Sequence, residues 1–440
     1  MEYLELLRRL IAFPTVNNPT EHLRPTHECP EFLEKQLQEA GCSSQIFEER
    51  GFFSVLGTVG SGRPVTLLMA HFDVVPIGPG WDTDPFELHL QGERGYGRGT
   101  ADDKGNVTAL LLAAGKIAKM KLPGTIAFAM TGDEEIGGAN GATVIRRTLE
   151  NSNLFPDYLI TADGVGMRIV TRRRNTCGMT LSVPEHPSKG RGSLETQRFT
   201  TEYVGRQSRH SAYFLPGVDR HALLTASSFL LQYPHLQVRN ISGSFVKSNV
   251  VPDWFELELV NPLSNDGKHT YDESLTRLVQ ALLPISRVQF PVKRSDYGIT
   301  YCPNLLQKKK DHWEVYLDGR AMTTDAEVVE KAMEAILAEK LHGLDYQFIV
   351  HMGKAYMNTP PQSTLVNTAQ AIAQELGLDP QPIELGGASD TRHFSDRPLE
   401  AIDFGPIGYG VHGSNENVIL ESIPRTATFY SEVVRKLHAQ

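Results

Sequence analysis

Histidines and acids recur in this sequence in a pattern suited to holding cations. His71-Phe72-Asp73 follows the apolar run from Val65 to Ala70, and Asp102-Asp103 lies in the glycine-rich stretch GYGRGTADDKG, residues 95 to 105. Asp133-Glu134-Glu135 follows TIAFAM, Asp163-Gly164 follows YLITA, and His412 sits in a late GYGVHGSNE. Two residues apart at a strand end, His71 and Asp73 can face the same way, which lets the carboxylate orient the imidazole for metal binding. Three consecutive acids repel one another unless cations or hydrogen bonds stabilise them. Taken singly, each motif also has a plainer reading: a strand-edge histidine beside a solvated Asp, an acid capping a helix, or a solvated acidic loop. A phosphate cradle does not suit GYGRGTADDKG, because the G-x-x-x-x-G-K-[ST] spacing is missing and an anion would meet two carboxylates.

Together the motifs favour metal, since His, Glu and Asp would close three strands of one sheet. Imidazole and carboxylate ligands without cysteine suit zinc, cobalt or manganese. A two-metal site needs a carboxylate able to bridge ions about 3.5 Å apart. Such a site lowers the pKa of bound water, and a nearby carboxylate can accept the proton as the water attacks a carbonyl. The chemistry is metal-assisted hydrolysis.

The elements around these motifs point to an α/β fold. Val65 to Ala70, Thr125 to Met130 and Tyr158 to Ala162 are short, nearly continuous apolar runs, as expected of strands covered on both faces. An Ala- and Leu-rich helix is expected from Asn106 to Met120, and an amphipathic one from Tyr3 to Ala12. Alternating strands and helices imply a mainly parallel sheet flanked by helices. After Asp163 the character changes, with Arg172-Arg173-Arg174 and a Pro/Gly/Ser/Lys stretch from Pro184 to Ser193 that reads as a surface loop. A separate α+β segment follows, with helices expected at Asp219 to Gln232, Asp272 to Leu283 and Asp325 to Leu341. From Lys354 the α/β pattern resumes. We therefore expect a discontinuous catalytic domain, 1–177 and 354–440, interrupted by a domain at 178–353.

Composition narrows the classes further. The chain has 440 residues, 40% hydrophobic and 22% charged, which is ordinary globular usage. Its net charge of -9 would repel a phosphate backbone, so nucleic acid is excluded as a partner. Cys29, Cys42, Cys177 and Cys302 are scattered, which fits a reducing cytoplasm. The amino terminus is acidic where a signal peptide is basic, and no run approaches 18 apolar residues, so neither export nor a membrane partner is expected.

The order and spacing of AHFDVVP, GWDTDPF, GRGTADDKG, TGDEEIGG, Asp163-Gly164 and HGSNE resembles a family of dinuclear zinc hydrolases. It comprises acetylornithine deacetylase, succinyl-diaminopimelate desuccinylase, aminoacylase, glutamate carboxypeptidase and cytosolic dipeptidases, and the resemblance covers nearly the whole chain. It implies a zinc-peptidase-like catalytic domain with an inserted lid or dimerisation domain, and two divalent ions, zinc by preference with cobalt or manganese as alternatives. By the same resemblance His71, a bridging Asp102 and Asp163 bind one ion, while Asp102, Glu135 and His412 bind the other. Asp73 orients His71, and Glu134 is the general base acting on a metal-bridging water. The bond after Asp102 is cis in relatives. His210, in GRQSRHSAYFLPGVDRHAL, would serve the oxyanion, and Asn249 and Arg392 would hold substrate.

This sequence departs from the family in an extra insertion near 261–311 and in DRHA at Asp219 to Ala222. An enlarged lid could widen a homodimer interface or replace it, so dimer and monomer both stay open. The expected substrates are N-acyl amino acids or short peptides. Deacylase is the first expectation, supported by GGASDTRHF. Asp163, where many deacylases of the family have Glu, favours a dipeptidase or aminopeptidase. A non-catalytic metal- or peptide-binding protein on the same fold should have lost Glu134 or a ligand, and none is missing.

Overall fold

The computed structural model describes residues 3–204, 209–214, 217–264, 266–288 and 300–439. They form two compact units, Met1–Arg173 with Ala355–Gln440, and Arg174–Lys354.

A nine-stranded sheet organises the first unit. Its centre is parallel, with Gly124–Thr131, Val65–His71, Tyr158–Thr161 and Glu400–Asp403 side by side in that order. Phe52–Ser61 and Ser43–Glu49 extend one side antiparallel, and Val170–Arg173 with Met357–Asn358 extends the other. Every residue of Val65–His71 and Gly124–Thr131 is buried, so both faces of these strands are covered and their sequences run apolar without alternation. The Lys104–Met120 helix buries Val107, Leu110, Leu111 and Ile117, and it packs with Ser422–His438, which buries Ile423, Phe429, Val433 and Leu437. Each such buried side chain contributes about 1.5–3 kcal/mol.

Parallel pairing leaves the carboxyl ends of the central strands at one edge, the usual ligand position in open α/β sheets. A smaller sheet, in the order Gly408–Tyr409, Asn417–Ile419, Arg94–Tyr96 and His89–Gln91, aligns the late glycine-rich loop with the loop after Tyr96.

The second unit holds a four-stranded antiparallel sheet in the order Thr300–Lys308, His312–Ala321, Asn175–Pro184, Gln347–Met352. A three-stranded sheet runs Ser193–Thr200, Trp254–Asn261, Gln237–Gly243. Helices Ala222–Gln232, Glu273–Ser286 and Ala326–Lys340 share one core with these strands. The helix expected inside the insertion is Glu273–Ser286, capped by Asp272, whose carboxylate accepts from the Leu275 N–H at 2.9 Å and the Trp313 indole at 3.0 Å. Leu275, Leu278, Val279, Leu282 and Ile285 are buried, so this helix is part of the core. Residues 265 and 289–299 of the insertion, and 205–208 and 215–216 of the His210 segment, lie outside the described residues.

One expectation is overturned. The stretch Pro184 to Ser193 is not a loop throughout, because Pro187–Arg191 is a strand paired antiparallel with Lys268–Asp272. Its composition disfavours a strand in isolation, but a partner distant in sequence satisfies its backbone. Proline stands at the first position, where a strand tolerates it.

Candidate functional site

Three neighbouring strands each deliver ligand-type side chains at their ends. Val65–His71 closes on His71, whose Nε2 is 3.0 Å from Asp102 Oδ1. Asp102 lies in the loop entering the Lys104–Met120 helix, and its bond to Asp103 is cis. Past Gly124–Thr131, the turn Glu134–Ile136 carries Glu134 and Glu135, and past Tyr158–Thr161 comes Asp163. His412 Nε2 is 3.2 Å from Asp102 Oδ2 and 3.1 Å from Glu135 Oε2.

Two groups result, His71 with Asp102 and Asp163, and Asp102 with Glu135 and His412, the ligand atoms of each lying within 4.8 Å of one another. Asp102 belongs to both, turning one oxygen to each imidazole.

The electrostatics fit a cationic occupant. Burial pushes the Asp163 carboxyl well above the usual range, and Asp102 and Glu134 add repulsion. Burial also raises Glu135, whose Oε1 is buried without a hydrogen-bond partner. Although burial opposes its charge, His412 is pushed up to about 10 by Glu135 and Asp102. His71 is likewise raised against burial, by Asp102 and Asp73. Burial disfavours the charged form of Asp102 as well, yet hydrogen bonds from His412 and His71 hold it well below the carboxylate range. Both imidazoles are thus drawn toward imidazolium by the surrounding carboxylates, whose charge a divalent ion would offset. The donor set, oxygen and imidazole without sulfur, suits zinc, cobalt or manganese.

Glu134 belongs to neither group. Its Oε1 lies 3.1 Å from Arg392 Nη2, and the two side chains are 13% and 20% exposed. Asp390 Oδ1 lies 3.7 Å from the same Arg392 nitrogen, and the Asp390 carboxylate accepts from Thr131 Oγ1 at 3.0 Å and is pushed up to about 8 by burial and the Glu134 charge.

Asp73 does more than the sequence suggests. Its Oδ1 is 3.4 Å from His71 Nδ1, but its own backbone carbonyl is nearer, at 3.1 Å. The carboxylate also accepts from Asn17 Nδ2 at 2.6 Å and from the N–H groups of Glu134 and Glu135, each at 3.1 Å. One side chain therefore ties the ends of two strands together.

His210 and Asn249 belong to the second unit. His210 Nδ1 accepts from the Ala212 N–H at 3.0 Å, and its Nε2 is 3.3 Å from Asn249 Nδ2. Ser211 beside it donates to Asp318 at 2.5 Å, and Asp318 pairs with Arg320 at 3.1 Å.

Sequence reasoning missed two supports. Arg173, one of three consecutive arginines, is buried against Asp403 and donates to the Asp163 carbonyl at 2.6 Å. Glu416, four residues after His412, is fully buried and accepts from Ala101 N–H at 2.8 Å, Asp102 N–H at 2.9 Å, Gly99 N–H at 2.9 Å and Arg98 Nη1 at 2.6 Å. The only sequence signal was its place in HGSNE.

Residues 67–436 match Peptidase family M20/M25/M40. A succinyl-diaminopimelate desuccinylase of Stenotrophomonas maltophilia is 27% identical over 453 residues, spanning 99% of this chain and 98% of that protein. Among solved structures, the aminoacylhistidine dipeptidase of Vibrio alginolyticus superposes with a TM-score of 0.66 at 14% identity, covering 99% of this chain and 96% of that one. A dinuclear metal binding peptidase of the M20 family from Bacillus subtilis gives 0.53 at 12% identity, covering 99% and 98%.

Proposed function

Since the chain belongs to Peptidase family M20/M25/M40 and is a metal-dependent hydrolase of amide or peptide bonds, we propose that it cleaves N-acyl amino acids bearing a free carboxylate. The observation that carries this proposal is Asp102 shared between two three-residue groups, with Glu134 beside them and outside both. His71, Asp102 and Asp163 would hold one ion and Asp102, Glu135 and His412 the other, with zinc the preferred occupant. When bound, such a pair lowers the pKa of water and polarises a carbonyl. Glu134 takes the proton of the attacking water and passes it to the leaving amine. Asp73 fixes the backbone of Glu134 and Glu135 while it supports His71. To His210, with Asn249, we assign the developing oxyanion. Arg392 takes the substrate carboxylate through its planar fork, exchanging Glu134 for it.

Full-length likeness to desuccinylases supports the deacylase assignment. Asp163 favours a second one, dipeptidase or aminopeptidase. A hydrolysis panel on zinc- and cobalt-loaded protein separates them, comparing acetylornithine, succinyl-diaminopimelate, acetyl-methionine and unblocked dipeptides. Activity on acylated substrates is expected, and activity confined to free-amine dipeptides overturns it. Among the described residues no helix is long and apolar enough to cross a membrane, and the four cysteines are free and buried. We assign a cytoplasmic setting, with light scattering to decide between homodimer and monomer.

A further inference from the structure

We propose that Glu416 is the positioning residue for Asp102, so that the loop supplying His412 also sets the ligand common to both ions. The inference rests on the two-metal assignment above. Three backbone N–H groups in the four residues Gly99–Asp102 converge on one carboxylate, two on Oε1 and one on Oε2, with Arg98 Nη1 completing the set. A buried ion pair with Arg98 would need only the last of these contacts. The other three fix the backbone that aims the Asp102 side chain, and one of them is the N–H of Asp102 itself.

The loop is built to bring Glu416 there. Gly410, His412 and Asn415 all have positive φ, at 72°, 62° and 56°, which folds the segment tightly enough for His412 and Glu416 to serve the same site. Asn415 pins the loop from outside, accepting from the Asp82 N–H at 3.0 Å and donating to Asp82 Oδ2 at 2.8 Å. The Gly97 N–H donates to the Glu416 carbonyl at 3.0 Å, and Asn417 pairs with Tyr96, so backbone and side chain hold the same register. Partners that orient metal ligands typically change metal affinity 10- to 100-fold when removed.

The test is titration of metal-free full-length protein with Zn²⁺, followed by calorimetry, with melting temperature measured in parallel. Glu416→Gln keeps the shape but places an amide NH₂ where an acceptor is needed. Both zinc-binding steps are expected to weaken together by 10- to 100-fold, whereas His412→Ala should weaken chiefly one. Arg98→Lys removes the fork and leaves the three amide contacts, so it should lower the melting temperature with zinc affinity kept within about threefold. Glu416→Asp retains charge with a shorter reach and is judged by the same criterion if the Gln variant does not fold. Unchanged zinc affinities in a folded Glu416 variant overturn the inference, and so does an equal loss in Arg98→Lys. Wild-type protein that takes up fewer than two ions would instead refute the two-metal assignment.

Discussion

Replacing Asp73 with asparagine tests how far one carboxylate holds this site together. Its Oδ1 accepts from the Glu134 N–H at 3.1 Å, and its Oδ2 from Asn17 Nδ2 at 2.6 Å and the Glu135 N–H at 3.1 Å. Asparagine preserves the volume but turns one oxygen into a donor, which meets another donor either way round. With the NH₂ toward Glu135, two donors are opposed unless Asn17 rotates and gives up its 2.9 Å bond to the Gly132 carbonyl. Facing Glu134 it opposes that N–H and lies 3.4 Å from His71 Nδ1, whose nearer partner is the Asp73 carbonyl at 3.1 Å, so that orientation costs less. Losing one charge-assisted hydrogen bond and stranding one buried N–H costs about 1.5–3 kcal/mol. Carried in full by the transition state, at about 1.4 kcal/mol per decade, this is roughly a 10- to 100-fold fall in kcat at saturating zinc. Asp73→Ala strands every donor and should lose more. Steady-state kinetics alongside zinc content by mass spectrometry and far-ultraviolet dichroism measures this. A folded Asp73→Asn enzyme with wild-type kcat would refute the reasoning.

Glu134→Ala should keep both zinc ions, because Glu134 lies in neither ligand group, yet lose about 10² to 10⁴ in rate; normal turnover in that variant sinks its role as base. Amidating the substrate carboxylate should sharply raise KM for wild type but hardly for Arg392→Ala, and equal effects in both proteins would count against the carboxylate contact. His221 is buried, accepts from the Leu223 N–H at 3.2 Å, and is pushed down by burial from 6.5 to about 3. Its neutral form is the one folding selects, so the stability it contributes is complete above pH 6.5 and lost as pH falls toward 3. The loss is about 1.4 kcal/mol per pH unit in that window. His221→Asn, which keeps an N-cap acceptor without the titration, should therefore show a smaller drop in melting temperature between pH 7 and pH 4.5, and an identical drop would contradict this account.

The central strands were legible because burial on both faces leaves uninterrupted apolar runs, and the acids after Val65 to Ala70, Thr125 to Met130 and Tyr158 to Ala162 stand out against them. That the three strands are adjacent and parallel is what turns separate motifs into one cluster. The Pro187–Arg191 strand was hidden because its partner is Lys268–Asp272, and no local pattern encodes a pairing that distant. Glu416 was equally hidden, since its partners are mostly backbone N–H groups, which every residue but proline has. Arg173 looked like surface charge because a run of arginines usually is. Its burial depends on Asp403, which reaches it only after the second unit has been traversed.

That excursion has a consequence for how the protein is made. The chain leaves the first unit after Arg173 and returns at Ala355, so His71, Asp102, Glu135 and Asp163 are synthesised long before His412 and Glu416. A growing polypeptide can assemble only one of the two ligand groups, and its Asp102 loop lacks the acceptor that fixes it. On the two-metal assignment, hydrolytic competence therefore waits for the segment that carries His412 and Glu416, and a nonsense codon anywhere before His412 yields a protein that lacks the second group.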